Sequence, residues 1–199
     1  QPHRAIWKAN TMQEISEDYL NSGLLPADSS EPATTLHLVS AQALSTFREQ
    51  LSDADQAWLQ RQSFAGKAGQ IAWLENGDGV VGQASDNDLS VLGDLPYALP
   101  EGSYRLANDV GFVALLGWGL GSYRFDRYKS AEREPAKLVL SASADATELL
   151  HTIAATNLTR DLINTPAQDM APSHLQAEVE ALADTFGALT TTTVGDDLL

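Results

Sequence analysis

Four histidines, twenty-seven carboxylates and no cysteine are the raw material for chemistry in this chain of 199 residues. His3, His37, His151 and His174 are scattered. None stands in an H-x-x-x-H or H-E-x-x-H pattern, the spacing that sets two imidazoles on one helix face to hold a metal. They read as surface or half-buried structural histidines. Without cysteine there is no thiolate metal site, thiol nucleophile or disulfide framework, which suits a reducing compartment. No G-x-S-x-G elbow supports a serine hydrolase. Asp196 and Asp197 are adjacent, so their carboxylates point in different directions, and one reads as the cap of a following helix rather than as half of a hard-cation site.

Two glycine-bearing stretches invite a phosphate reading and fail it. Gly117-Trp118-Gly119-Leu120-Gly121-Ser122 lacks the third glycine at the dinucleotide spacing and follows a helical pattern instead of a strand. Small residues that let helices approach closely explain it better. In Ser63-Phe64-Ala65-Gly66-Lys67-Ala68, Ala68 stands where a magnesium-binding Ser or Thr is needed, and the first glycine of a phosphate loop is missing. The basic run Arg124, Arg127, Lys129, Arg133 and Lys137 is interleaved with Asp126, Glu132 and Glu134, which reads as a solvated, salt-bridged face, with a contact to another subunit as the sharper alternative. The sequon Asn157-Leu158-Thr159 falls inside a helical pattern and reads as accidental.

The elements that would position such groups are legible in outline. Residues 21–32, rich in Ser, Pro and Asp, read as an exposed loop. A strand follows over 34–39, then a helix carrying Leu44, Phe47 and Leu51 on one face. Ser52 with Asp55 opens a short helix bearing Trp58 and Leu59. Residues 70–84 form a hairpin around Glu75-Asn76-Gly77-Asp78-Gly79, because Asn and Gly tolerate the positive φ of a tight reversal. Pro96 and Pro100 break the chain before a helical stretch over 106–123, and residues 136–140 read as a strand. Asp145 caps a long helix that must stop near Asn164, since Pro166 disfavours a helical Thr165. A second helix starts at Pro172, with Leu175, Val179, Leu182 and Phe186 on one side and Gly187 as its left-handed cap. Residues 189–194 read as a Thr-rich strand and 195–197 as a turn into another helix.

Composition divides the chain at the same place as the pattern. Residues 145–199 hold nine acids against the single Arg160, a net of −8, while the preceding 144 residues hold eighteen acids and eleven bases. A helix and one strand cannot close a core, so this tail reads as the first pieces of a second domain whose remainder is missing. The whole chain carries a net charge of −15, which repels phosphate backbones and anionic lipid heads, so neither nucleic acid nor membrane is expected as a partner. No apolar run approaches the ~20 residues of a bilayer span. The expectation is a cytoplasmic protein whose first encoded residue is not Gln1.

Arg160-Asp161-Leu162-Ile163-Asn164-Thr165-Pro166-Ala167-Gln168-Asp169-Met170-Ala171-Pro172 closely resembles the segment joining the two domains of leucyl (cytosol) aminopeptidases, an R-D-L-x-N-T-P-A-x-x-M-x-P run. Val194-Gly195-Asp196-Asp197-Leu198 is similar to the V-G-D-D-L that follows it in that family, and Leu116-Gly117-Trp118-Gly119-Leu120-Gly121-Ser122-Tyr123-Arg124-Phe125-Asp126-Arg127-Tyr128 resembles a helix and turn near the end of its N-terminal domain. The hairpin around Trp73 and the stretch Leu99-Pro100-Glu101-Gly102-Ser103-Tyr104-Arg105-Leu106 are similar to one bacterial branch. The resemblance runs from about residue 65 to the end.

It implies an α/β fold: a three-layer, macro-domain-like N-terminal domain with a mixed sheet over 1–144, a linker helix over 145–164, and over 165–199 the first elements of a truncated second α/β domain. It also implies a parent exopeptidase that removes N-terminal residues from peptides. In that family two divalent ions, Mn or Zn, polarise the scissile carbonyl and ready a bridging water. The family's ligands (a Lys, several Asp and a Glu) and its further Arg and Lys lie in the C-terminal domain, with a diagnostic N-T-D-A-E-G-R-L run that is absent here. No catalytic, cofactor-binding or metal residue is therefore assigned to this chain, which is expected to be inactive alone. A homo-hexamer is implied for the parent. Some relatives bind DNA, which the −15 charge opposes here. The competing reading is a stand-alone macro-like module that binds a ligand or a protein without peptidase activity.

Overall fold

The β-branched and apolar residues between Ala33 and Ser40 form the strand around which the sheet is built. The computed structural model describes residues 22–84 and 87–195. In chain order the elements are β1 (Leu24–Leu25), β2 (Ala33–Ser40), α1 (Leu44–Glu49), α2 (Asp53–Arg61), β3 (Ile71–Trp73), β4 (Gly79–Gln83), α3 (Ser90–Gly93), α4 (Leu95–Ala98), β5 (Ser103–Leu106), α5 (Phe112–Gly121), β6 (Lys137–Val139), α6 (Ala146–Asn164) and α7 (Pro172–Phe186). The chain divides into two units, and the division falls within α6, between Thr156 and Asn157.

The first unit is a mixed α/β fold on a six-stranded sheet of order β1-β6-β5-β2-β4-β3. Every neighbouring pair is parallel except β3 with β4, the hairpin. Parallel strands need covered faces, and alternation along β2 serves both. Leu36 and Leu38 join Leu24, Val81, Tyr104 and Leu138 on one face, packed against α3, α4, α5 and the start of α6. Val39 joins Val80 and Ala72 on the other, against Leu44 of α1 and Leu59 of α2.

The hairpin reverses as a type I turn closed by a bulge. Gly77 N–H donates to Leu74 O at 3.1 Å, Leu74 N–H donates to Asp78 O at 2.8 Å, and Gly77 takes φ +92°, which glycine adopts without strain. β3 is the sheet edge, and its outward main chain does not stay open. The Gln62 carboxamide donates to Trp73 O at 2.6 Å and accepts from Trp73 N–H at 2.9 Å, imitating one more strand. Ser52 caps α2 by accepting from Asp55 N–H at 3.1 Å, as its position before that helix requires.

Tyr104 sits on β5, 4% exposed, with its hydroxyl donating to Pro100 O at 3.0 Å. Burial pushes this phenol above the ordinary tyrosine range, and the positive field of Arg133 offsets part of that. A phenol that ionises less readily folded than unfolded supports the fold fully below about pH 10, and that support is lost as pH climbs through the unfolded value toward the raised folded one. The urea midpoint is therefore expected to fall as pH rises past about 10, and to fall less steeply in Tyr104→Phe. Equal slopes in the two proteins would show that Tyr104 does not govern the alkaline limit.

Three expectations are corrected. Leu24–Leu25, inside the expected loop, is a strand paired with Leu138 and Val139. Leu106, the expected start of a helix, is instead the last residue of β5, an interior strand between β2 and β6, and the helix begins only at Phe112. Residues 189–194 are not a strand: they run irregularly, Leu189 fully exposed, and no strand among the described residues offers them a ladder. The expected turn at 195–197 lies largely outside the described residues.

In the second unit α7 opens on Pro172 and ends at Gly187, φ +65°, whose N–H donates to Ala183 O. Leu175, Val179 and Phe186 are exposed, Phe186 at 69%.

Candidate functional site

The histidines do not converge. His37, on β2, places Nε2 3.7 Å from Asp78 Oδ2 and its ring against Phe47, with centroids 5.3 Å apart. His151 is exposed on α6. His174 stabilises a helix start: its Nδ1 accepts from Ala171 N–H at 3.0 Å. His3, Asp196 and Asp197 lie outside the described residues. Among the described residues no three His, Asp or Glu side chains gather as a metal site would need. No helix among them is long and apolar enough to cross a membrane.

The phosphate-like stretches have structural employment. Ala65 N–H and Lys67 N–H both donate to Gln70 Oε1, at 3.0 and 3.1 Å, so these amides are committed to a side chain of their own loop. The loop lies against the ends of β2 and β4: a Cβ on Gly66 would meet the main chain of Ala41, and one on Gly82 the Lys67 carbonyl. Gly117, Gly119 and Gly121 let three neighbours close in on α5. A Cβ at Gly117 would overlap Leu89 O, at Gly121 Gly93 O, and at Gly119 the Ile153 side chain. Helix contact is their function, as the spacing indicated.

Part of the basic run turns inward, which alternating charge did not reveal. Arg133 donates to the carbonyls of Leu99 at 2.6 Å, Tyr97 at 3.1 Å and Pro96 at 3.4 Å, closing the C-terminal end of α4. Arg124 donates to Arg133 O and lies 3.9 Å from Glu134. Both guanidinium groups lie near the Tyr97 ring, at 5.8 and 6.0 Å from its centroid. Lys129 and Glu132 form the exposed pair the reading anticipated, at 3.5 Å.

A cavity of about 90 Å³ opens at the C-terminal ends of β5 and β6, bordered by Leu106, Asp109, Val110, Leu115, Leu138 and Ser141. Open α/β sheets bind ligands at such ends.

A six-stranded mixed sheet covered by helices is, in class, a mixed α/β fold. The family follows from residues 34–141, which match the M17 aminopeptidase N-terminal domain. The chain belongs to that family. Its fold is that of the corresponding region in the cytosol aminopeptidase from Coxiella burnetii, to which it is 28% identical with a TM-score of 0.77, over 88% of this chain and 40% of that one. The bottromycin maturation enzyme BotP shares the fold at 22% identity and a TM-score of 0.55, over 84% of this chain and 40% of its own. The chain thus spans 40% of the length of either solved relative. No curated protein matches it in sequence.

Proposed function

We propose that these residues are the N-terminal portion of a two-metal leucyl aminopeptidase, which hydrolyses N-terminal residues from peptides, and that they serve assembly and scaffold while the metal ligands reside in a further domain. The observation that carries this reading is the family match over residues 34–141 together with the likeness to a cytosol aminopeptidase more than twice as long. The exposed Leu175, Val179 and Phe186 on α7 support it, because such a row is what a helix shows when the rest of its domain is to pack there. On this reading residues 1–144 are a macro-like domain, 145–164 the linker helix and 165–199 the start of the catalytic domain. The parent works in the cytoplasm as a homo-hexamer loaded with Mn or Zn. The alternative is a stand-alone macro-like module that binds a ligand or a protein without peptidase activity.

Release of a chromogenic Leu-anilide with added manganese or zinc tests the assignment. Turnover is expected from the complete protein and none from these 199 residues alone. Turnover by the isolated chain would place the active site inside it. An inactive complete protein, loaded with metal, would refute the peptidase reading.

A further inference from the structure

The hairpin turn that ends β3 holds a reactive pair that neither the sheet nor the peptidase reading uses. Of the seven asparagines in the chain, only Asn76 is followed by glycine. Both residues are exposed at the tip of the turn. Glycine matters because the main-chain nitrogen after an asparagine can attack that asparagine's side-chain carbonyl carbon, and any Cβ on the following residue hinders the approach.

The turn also prepares the electrophile. Asn76 Oδ1 accepts from Asp78 N–H at 2.8 Å, a donor placed on the oxygen that gains charge when the carbon is attacked. Asn76 Nδ2 donates to Asp78 Oδ2 at 3.0 Å, which fixes the carboxamide in the orientation that presents its carbon. The opposing contact is the Gly77 N–H bond to Leu74 O, 3.1 Å, in an exposed reversal open to solvent.

We propose that Asn76 is a site of spontaneous covalent modification, closing to a succinimide and opening to isoaspartate in the folded protein. Hydroxide removes the Gly77 amide proton and the nitrogen bonds to Asn76 Cγ. The Cγ–Nδ2 bond breaks, and Nδ2 leaves as ammonia with a proton from water, which regenerates hydroxide. Water then opens the imide. Cleavage at Cγ gives aspartate; cleavage at the main-chain carbonyl gives isoaspartate, with the chain rerouted through the side chain. That extra carbon breaks the Leu74–Asp78 pairing that sets the register of β3 on β4, and it moves Asp78 away from His37. β3 is the edge strand, so its loosening uncovers β4, whose Val80 and Val81 are buried.

The test incubates the folded 199-residue chain at mildly alkaline pH and follows all seven asparagines by peptide mapping, with isoaspartyl methyltransferase labelling to mark the rerouted product. Asn76 is expected to convert first, gaining about 1 Da and accepting methyl label. Gly77→Ala is expected to slow this roughly tenfold or more. Because alanine is strained at φ +92°, Asn76→Ser serves as a second variant, and its chain is expected to lose the label at this turn. An unchanged Asn76 while another asparagine converts would overturn the proposal. So would conversion of Asn76 seen only in urea, which would mean that the folded turn protects it.

Discussion

Trp118→Ala is expected to destabilise the first unit by about 3–5 kcal/mol. Trp118 is completely buried on α5, within the cluster that joins the sheet to α3, α4 and α6. Truncating a buried tryptophan costs about 3–5 kcal/mol, against a total stability of roughly 5–15 kcal/mol for a domain. The indole also has a polar duty, since Nε1 donates to Gly23 O at 2.8 Å, just before β1. Gly23 takes φ +67°, and a Cβ there would strike the Ser122 side chain, so the approach of β1 to α5 depends on this pairing. Trp118→Phe separates the two contributions. It keeps most of the apolar volume and leaves the Gly23 carbonyl without its donor, an expected loss of about 1–3 kcal/mol. Urea melts followed by far-ultraviolet circular dichroism read both variants. A loss below about 1 kcal/mol for the alanine variant would show that Trp118 does not anchor the core.

Gly117→Ala and Gly121→Ala set two effects of opposite sign against each other. Alanine favours a helix interior by about 1 kcal/mol over glycine, so an unobstructed α5 would gain stability. Here each new methyl would meet a main-chain carbonyl, Leu89 O or Gly93 O, at a distance no packing permits. Neither carbonyl is the loose end of a side chain, and overpacking of this kind costs about 1–3 kcal/mol and sometimes more. Net destabilisation is expected for both, and a milder one for Gly119→Ala, where the obstacle is the tip of Ile153. Stabilisation in the first two variants would mean that α3 and α5 are not in close contact.

How much of this was legible from residues alone depended on length and period. α6 and α7 carry several turns of regular apolar spacing between clear stops, Pro166 and Gly187, and both form as expected. The hairpin was readable from Asn76-Gly77. β1 was not, because two leucines have no period and gain their strand character only from Leu138 and Val139, far along the chain. β5 alternates buried Tyr104 with exposed Arg105, but four residues are too short for a period to show, and its last, Leu106, read as the start of the following apolar helix. Residues 189–194 show the opposite error: threonine's preference for strands expresses packing against a neighbouring strand, and without one it does not act. The family was legible from a motif in the second unit, while the matching domain model covers the first, residues 34–141. Arg133 was hidden among alternating charges, since nothing in that pattern tells which guanidinium turns inward.

The pairing of Leu24 with Leu138 also sets an order of events. A chain made from its N-terminus presents β1 long before β6 exists, and the Trp118 contact with Gly23 closes a separation of 95 residues. During synthesis the first partnerships open to it are local: the β3–β4 hairpin and the α1–α2 segment beside it. Closing the sheet waits for Val139, and so many distant parallel pairings make for slow folding. For that interval Leu24 and Leu25, fully covered in the finished unit, stand in water on the nascent chain, where a chaperone or another copy can reach them.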